Sequence, residues 1–459
     1  MKVNLVGVSS IAPLGMSEFA GKTCYQNEMP DFISDEEDAE KFVREKLFLT
    51  SHHTTLEHTN FTFFLEDIPV SDVTLGLHLA HPFYNSDQRS GRYCSKMFTS
   101  PDFGAIRAHI ISMWPELTPL QIENVIGFIK TGTEIYANYL EKAVEVTAKL
   151  LRKERPHLSE KGIMERAPKI AQEQFRMFIS TIFPTGLVHT IDLITLVSIW
   201  ESAWSPGMRK MTDMMRDHVL ERFPQTSFMF DEDRRRKDDW ACALVETPPQ
   251  GGIIAFSPKV TNVRLDISRL VKLPDEKIMH PVDKLHFTPE FMNNNTNDVL
   301  SRVQISLATM GQDQRHRTVK RSEPAFTGEF YLPPVCQVLG IQEIAEKFFR
   351  MWLEMRGSIP ASLFCAIAPY GAVVTYEKKA NLNAFFHEIA KRFCWQAQEE
   401  IYNLNILLKR IIELQYLDSS NILAKMIPPC FHSGNGTCTE GGRCCGRNMK
   451  NRESDSRKV

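Results

Sequence analysis

The sequence lacks any apolar run near the roughly 18 residues needed to cross a membrane; its best candidate, Leu193–Trp200, is far too short. It also lacks an excess of either charge. Lys and Arg number 54 against 56 Asp and Glu, a formal charge of -2, so nothing global favours nucleic acid or an anionic membrane, and no nucleic-acid motif is present. Residues 1–21 have no strong apolar segment, so no signal peptide is expected. Paired CxxC knuckles are missing as well. Of ten cysteines, Cys24, Cys94, Cys242, Cys336, Cys365 and Cys394 sit singly in apolar or mixed surroundings, which fits a reduced, cytoplasmic compartment. The other four, Cys430, Cys438, Cys444 and Cys445, cluster with His432. These residue types suit zinc, but without knuckle spacing they are weak candidates beside a Gly-rich tail of reduced thiols, and no metal is expected.

What is present is an ordinary globular composition, 43% hydrophobic and 24% charged over 459 residues, enough for two or three cores. Elements of both types are expected, so the fold class is α+β. Val3–Val8 and the alternating, aromatic-rich Asn60–Glu66 are expected strands. Helices are expected at Ser17–Gln26, Glu36–Leu47, Thr118–Arg152, and Ser159–Phe183 with a break at Pro168. A charged run, Asp231 to Asp239, followed by Pro248, Pro249 and Gly251, marks the best boundary. The expected domains are 1–225, a linker 226–252, 253–425, and a Cys/Gly-rich basic tail 426–459. The second half opens with expected strands at Ile253–Phe256 and Val260–Leu265, then helices at Ile341–Arg356 and Asn381–Leu414. Its order of elements echoes the first half, a weak internal duplication.

One stretch concentrates charge. Between Gln312 and Pro334 lie Arg315, His316, Arg317, Lys320 and Arg321, then Glu323 and an aromatic close. Guanidinium groups offer planar paired donors to phosphate or carboxylate, so the stretch could cradle an anion; composition equally allows a solvated basic loop.

A second stretch raises the ligand-binding reading. His52, Thr54, Glu57, His58, Phe61, Thr62 and Phe63 fill an H-x-S/T-x-x-E-H-x-x-F-T-F pattern, and Ser90, Gly91, Arg92 and Tyr93 complete S-x-R-Y. Where R-H-R should precede that end stand Ala80, His81 and Pro82. In the second half Gln312, Arg315, His316 and Arg317 are intact, while Ala325 and Thr327 replace the later Ser and Arg. Asn381, Arg392, Ala397, Gln398, Glu400 and Ile401 fit a further helical pattern, whose first-half counterpart has Asp192 and Ala203 instead. Its apolar face is also that of a core helix, on which the stem of Arg392 can pack while the head reaches a ligand. With these motifs the chain resembles the flavin-dependent thymidylate synthases.

The resemblance implies two such domains, each a mixed sheet with long helices, forming an intramolecular pseudo-dimer. It implies one composite site, because each half keeps what the other has lost. FAD would contact His52, Thr54, Arg315, His316, Arg317, Glu323 and Asn381. The substrate dUMP would contact Gln312, Arg315, Gln88, Ser90, Gly91, Arg92 and Arg392, with Arg392 as catalytic residue. Methylenetetrahydrofolate and NADPH would be co-substrates, the product dTMP, and the assembly a homo-oligomer, a dimer of pseudo-dimers. The arginine that the family places before an L-P turn corresponds in this reading to Cys365 in one half and Ser180 in the other, a lost nucleotide contact. Two alternatives remain open: a catalytically impaired nucleotide- or flavin-binding paralogue acting as a regulatory or scaffold subunit, and a C5-modifying enzyme for another deoxypyrimidine nucleotide.

Overall fold

The computed structural model describes residues 1–79, 84–91, 94, 96–156, 158–238, 253–266, 293–416 and 457–459. Its strands are β1 (Lys2–Val8), β2 (Asn60–Pro69), β3 (Asn85–Gln88), β4 (Pro184–Asp192), β5 (Ile254–Ala255), β6 (Lys259–Asp266), β7 (Asp298–Ser306), β8 (Lys320–Arg321), β9 (Ala325–Tyr331) and β10 (Ala372–Asn381). The longer helices are α1 (Pro13–Tyr25), α2 (Glu36–Phe42), α3 (Phe103–Met113), α4 (Pro119–Glu154), α5 (Glu160–Phe175), α6 (Leu193–Glu201), α7 (Pro206–Arg222), α8 (Leu307–Asp313), α9 (Gln342–Glu354), α10 (Leu382–Arg392) and α11 (Glu399–Gln415). The class is mixed α and β, as the sequence predicts. No described helix is long and apolar enough to cross a membrane.

Strands form where apolar and polar residues alternate. In β2 the side chains of Phe61, Phe63 and Leu65 are buried, while Thr62 turns the other way to share a 2.9 Å hydroxyl contact with Thr190 of β4. One sheet runs β1-β2-β4-β3, all antiparallel. The other runs β5-β9-β10-β7-β6 with β8 beside β10, and only the β5–β9 pair is parallel. Setting aside the two-residue strands β5 and β8, both sheets have the same order by rank along the chain: first, second, fourth, third. The strand of last rank leads straight into a capped helix in each. Asp192 accepts the Thr195 N–H at 2.7 Å to start α6, and Asn381 accepts the Ala384 N–H at 2.8 Å to start α10.

Helix α4 begins at a capping box, Thr118 with Gln121, followed by Pro119, and its 36 residues span about 54 Å. Its buried face packs on α5 and on α9 of the second half, where Phe128 stacks on Phe348 at 4.8 Å. One continuous core therefore crosses the two halves, and a smaller core joins α10 and α11 to β6 and β10.

Three expectations change. Helix α5 does not break at Pro168 but continues to Phe175. The carbonyl that loses its partner belongs to Met164, which lies on the exposed face, while Ile163, Ala167 and Ala171 keep the helix seated. The single helix expected over 381–414 is two, because the chain reverses at 393–398 to bury Phe393, Trp395 and Ala397. The charged run up to Asp238 lies on the first half: Arg235 stacks on Trp200 at 4.6 Å and pairs with Asp213 at 2.9 Å, and Arg234 pairs with Glu201.

Asp72 gives a test of the first half. It is buried, accepts the Ser205 hydroxyl at 2.6 Å, and burial pushes its carboxyl up to about 7 despite that bond. A carboxyl whose folded pKa is raised stabilises fully below its unfolded value of about 4, and that contribution is lost as pH rises to about 7. Urea unfolding of Asp72→Asn should therefore lose a pH-dependent fall of up to ~4 kcal/mol between pH 4 and 8 that the parent shows.

Candidate functional site

A cavity of about 270 Å³ opens between the halves, lined from the first by Val70, Thr74, Gln88, Arg89, Ser90, Gly91 and Arg176. Its other wall is Leu307, Ala308, Gly311, Gln312, Arg315, Tyr370 and Arg392. The size is at the low end of the ~300–1,000 Å³ usual for small-molecule sites. Among the described residues, four guanidinium groups and no carboxylate line it, so its field favours an anion.

The second-half wall hangs on Glu400. That buried carboxylate accepts the Ser306 N–H at 2.7 Å and the Ser306 and Thr309 hydroxyls at 2.5 Å each. Burial raises its pKa, and those three bonds oppose the rise. The result is a fixed start for α8, which presents Gln312. The Gln312 side chain donates to Gln398 and, at 3.5 Å, to Glu173, while its carbonyl accepts from Arg392. From the first half Arg176, 5% exposed, donates to the same Gln398 oxygen at 3.1 Å and lies 5.4 Å over the Tyr370 ring. Gln398 thus couples Gln312 and Arg176 across the seam. Gly91 passes close by. A Cβ there would come within 3.3 Å of Phe98 and 3.5 Å of Arg176, and its carbonyl is held by Gln172 at 3.0 Å.

The basic stretch divides among several tasks instead of forming one anion cradle. Arg315 is exposed and lines the cavity. Arg317 ties the halves together, donating to Asn85 and to the Ser86 carbonyl at 2.9 Å each and lying 4.7 Å over Tyr84. Arg321 pairs with buried Asp313 at 2.6 Å, joined by Lys378 at 2.5 Å and the Tyr376 hydroxyl at 2.8 Å. Burial alone would raise the Asp313 carboxyl; Arg321 and Lys378 hold it well below the usual range. Lys378 also pairs with Glu388 at 2.5 Å. The reason for the division is Asp313, whose buried carboxylate draws Arg321 out of the stretch as a counter-charge. His316 is buried with its ring 5.5 Å from that of His387, and neither ring nitrogen has a hydrogen-bond partner. Burial, then Arg392, pushes its pKa well below the ordinary value and keeps the ring neutral.

Of the residues the sequence assigns to dUMP, Gln88, Ser90, Gly91, Gln312, Arg315 and Arg392 line this one cavity; Arg92 lies outside the described residues. The residues assigned to FAD are not gathered. His52 and Thr54 are exposed at a short helical turn packed on α1 and α6, Glu323 is exposed, and Asn381 caps α10. Cys430, His432, Cys438, Cys444 and Cys445 lie outside the described residues.

Sequence reading missed Arg89 and Arg176. Ser180, read as the position of a lost arginine, bridges Pro369 across the seam. Arg176, four residues before it, faces the cavity.

Residues 8–225 match the family model Thy1, thymidylate synthase complementing protein. Solved structures similar to the chain include a flavin-dependent thymidylate synthase from Helicobacter pylori complexed with FAD and dUMP, at 15% identity and TM-score 0.34, covering 51% of this chain and 100% of that one. Another is a UMP/dUMP methylase from Streptomyces cacaoi bound with 5-Br dUMP, at 14% identity and TM-score 0.32, covering 50% and 94%. No curated protein matches. Residues 8–225, a little under half of the chain, are thus similar to the thymidylate synthase complementing protein family.

Proposed function

We propose that the cavity binds dUMP and that the chain is a flavin-dependent thymidylate synthase, making dTMP with methylenetetrahydrofolate as one-carbon donor and NADPH as reductant. The observation that carries this reading is that Gln88, Ser90 and Gly91 of one half meet Gln312, Arg315 and Arg392 of the other around one arginine-rich cavity. Arg89, Arg176 and Arg315 supply guanidinium donors suited to the phosphate. Ser90, Gly91 and Gln312 supply neutral donors and acceptors for the sugar and base. Arg392, tethered to the Gln312 carbonyl, would face the pyrimidine and stabilise its enolate-like form, activating C5 electrostatically. Among the described residues the cavity lining contains no cysteine, so activation by a thiol nucleophile is not part of this reading.

The repeated strand order and the repeated capped helix support a tandem duplication in which residues 253–425 form the second domain of a pseudo-dimer. The flavin, once reduced by NADPH, would supply hydride to the one-carbon unit. The neutral, unpartnered His316 ring and the adjacent Arg315 fit a cofactor edge that can both donate and accept. His52 and Thr54, exposed away from the cavity, fit the flavin through a second copy of the chain in a homo-oligomer.

Tritium release from C5-labelled dUMP, with FAD, NADPH and methylenetetrahydrofolate present, tests the activity. Release that requires all three is expected; dUMP binding without release would mark the chain as a non-catalytic nucleotide-binding subunit. Arg315→Ala should weaken dUMP about ten- to hundredfold in calorimetric titration, the loss of one charge-assisted hydrogen bond. Because Arg315 is exposed, its thermal midpoint should stay put. Deoxyuridine, lacking the phosphate, should bind far more weakly than dUMP, and the dUMP affinity should fall as salt is added.

A further inference from the structure

The segment Arg457–Val459 is inlaid across the seam between the halves, with Arg457 3% and Val459 1% exposed. On the second-half side Asn403 holds the Arg457 backbone from both directions: its carbonyl accepts the N–H at 2.7 Å and its amide donates to the carbonyl at 2.9 Å. The Arg457 guanidinium donates to the Ala397 carbonyl at 3.0 Å and lies over the rings of Tyr402 at 5.0 Å and Trp395 at 5.8 Å. On the first-half side Glu154 of α4 accepts the Lys458 N–H at 2.8 Å, and Gln174 of α5 donates to the Lys458 carbonyl at 2.7 Å. Arg155 donates to Val459 at 3.0 Å and to the Trp395 carbonyl at 3.2 Å. Three residues thus bind α4, α5, α11 and the reversal at 393–398 in one place.

That reversal is where the cavity is set. Arg392 precedes it, and Gln398, which holds both Gln312 and Arg176, ends it. Ala397, the residue Arg457 holds, is one peptide away from Gln398, and Gln174 is two residues from Arg176. We propose that Arg457, with Lys458 and Val459, is a positioning clasp: by fixing the 393–398 reversal against α4 and α5 it sets Arg392, Gln398, Gln312 and Arg176 at the separation the nucleotide needs. Arg457, Lys458 and Val459 do not line the cavity, so the effect is transmitted through the reversal. The clasp rests on the reading of the cavity as a dUMP site for its functional consequence, though not for its effect on the loop.

The test compares the full chain with Arg457→Ala and Asn403→Ala, the second removing only a tie to the clasp backbone. Hydrogen exchange of amides 393–398 and dUMP affinity are read on each. Exchange in 393–398 should quicken at least tenfold and dUMP bind at least tenfold more weakly. Millimolar guanidinium, filling the slot between Trp395 and Tyr402, should restore both properties in Arg457→Ala and do nothing for Asn403→Ala. Unaltered loop exchange together with unaltered dUMP affinity in the variants would overturn the clasp. Should Arg457→Ala not fold, Asn403→Ala decides by the same two readouts. Failure of the unsubstituted chain to bind dUMP would instead remove the nucleotide reading, and loop exchange alone would then judge the clasp.

Discussion

The structure depends on a short stretch of backbone pairing where the two halves cross. Gly371 N–H reaches the Met177 carbonyl at 2.9 Å, Tyr370 N–H the Ile179 carbonyl at 2.8 Å, and Thr181 N–H the Ala368 carbonyl at 2.8 Å. Each half then ties its own helical turn to this crossing, Ser71 N–H to the Thr181 carbonyl at 2.9 Å and Ala308 N–H to the Tyr370 carbonyl at 3.0 Å. A hydrogen bond is worth only about 1 kcal/mol net, but buried backbone groups left unpaired cost more, so the register is strongly specified. Because the register is fixed, Arg176 falls on the Tyr370 ring and the residues after β2 face those after β7. The cavity is what remains between them.

Charge burial then decides which side chains are free to face that cavity. Asp313 and Glu400 are both completely buried carboxylates, yet they are handled differently. Asp313 recruits Arg321 and Lys378; Glu400 takes only neutral donors, Ser306 and Thr309, and burial leaves its pKa raised. Breaking such an arrangement by removing one partner is costly, since a lone buried charge remains. Both carboxylates hold α8, the helix that carries Gln312. The basic stretch therefore looks like a ligand site in sequence and is divided in space, Arg321 serving as internal counter-charge, Arg317 as a tie between the halves and Arg315 facing the cavity.

How much was legible follows from how local each signal is. β1, β2, α4 and α9 were readable because alternation, helical spacing and the Thr118–Gln121 cap act within a few residues. The cavity-lining residues Gln88, Ser90, Gly91, Gln312, Arg315 and Arg392 were readable because their motifs survive in complementary halves. Pro168 misled, because an exposed carbonyl tolerates the lost partner. The reversal at 393–398 was invisible, because it is driven by partners such as Arg155 and Arg457 that are distant in sequence. Arg176 was missed for the same reason, since its register is fixed by Pro369 across the seam.

In the proposed function one chain builds one nucleotide site from both halves. The positions that would complete a second are occupied by Ala80 and Pro82 in the first half and by Ala325, Thr327 and Cys365 in the second. The most direct measurement is the stoichiometry of dUMP binding by equilibrium titration against a known concentration of chain. One dUMP per chain is predicted, falling toward zero in Arg176→Ala and in Arg392→Ala alike, because each half supplies part of the same site. Two equivalent sites per chain, or a single site left intact by removing either arginine, would contradict it.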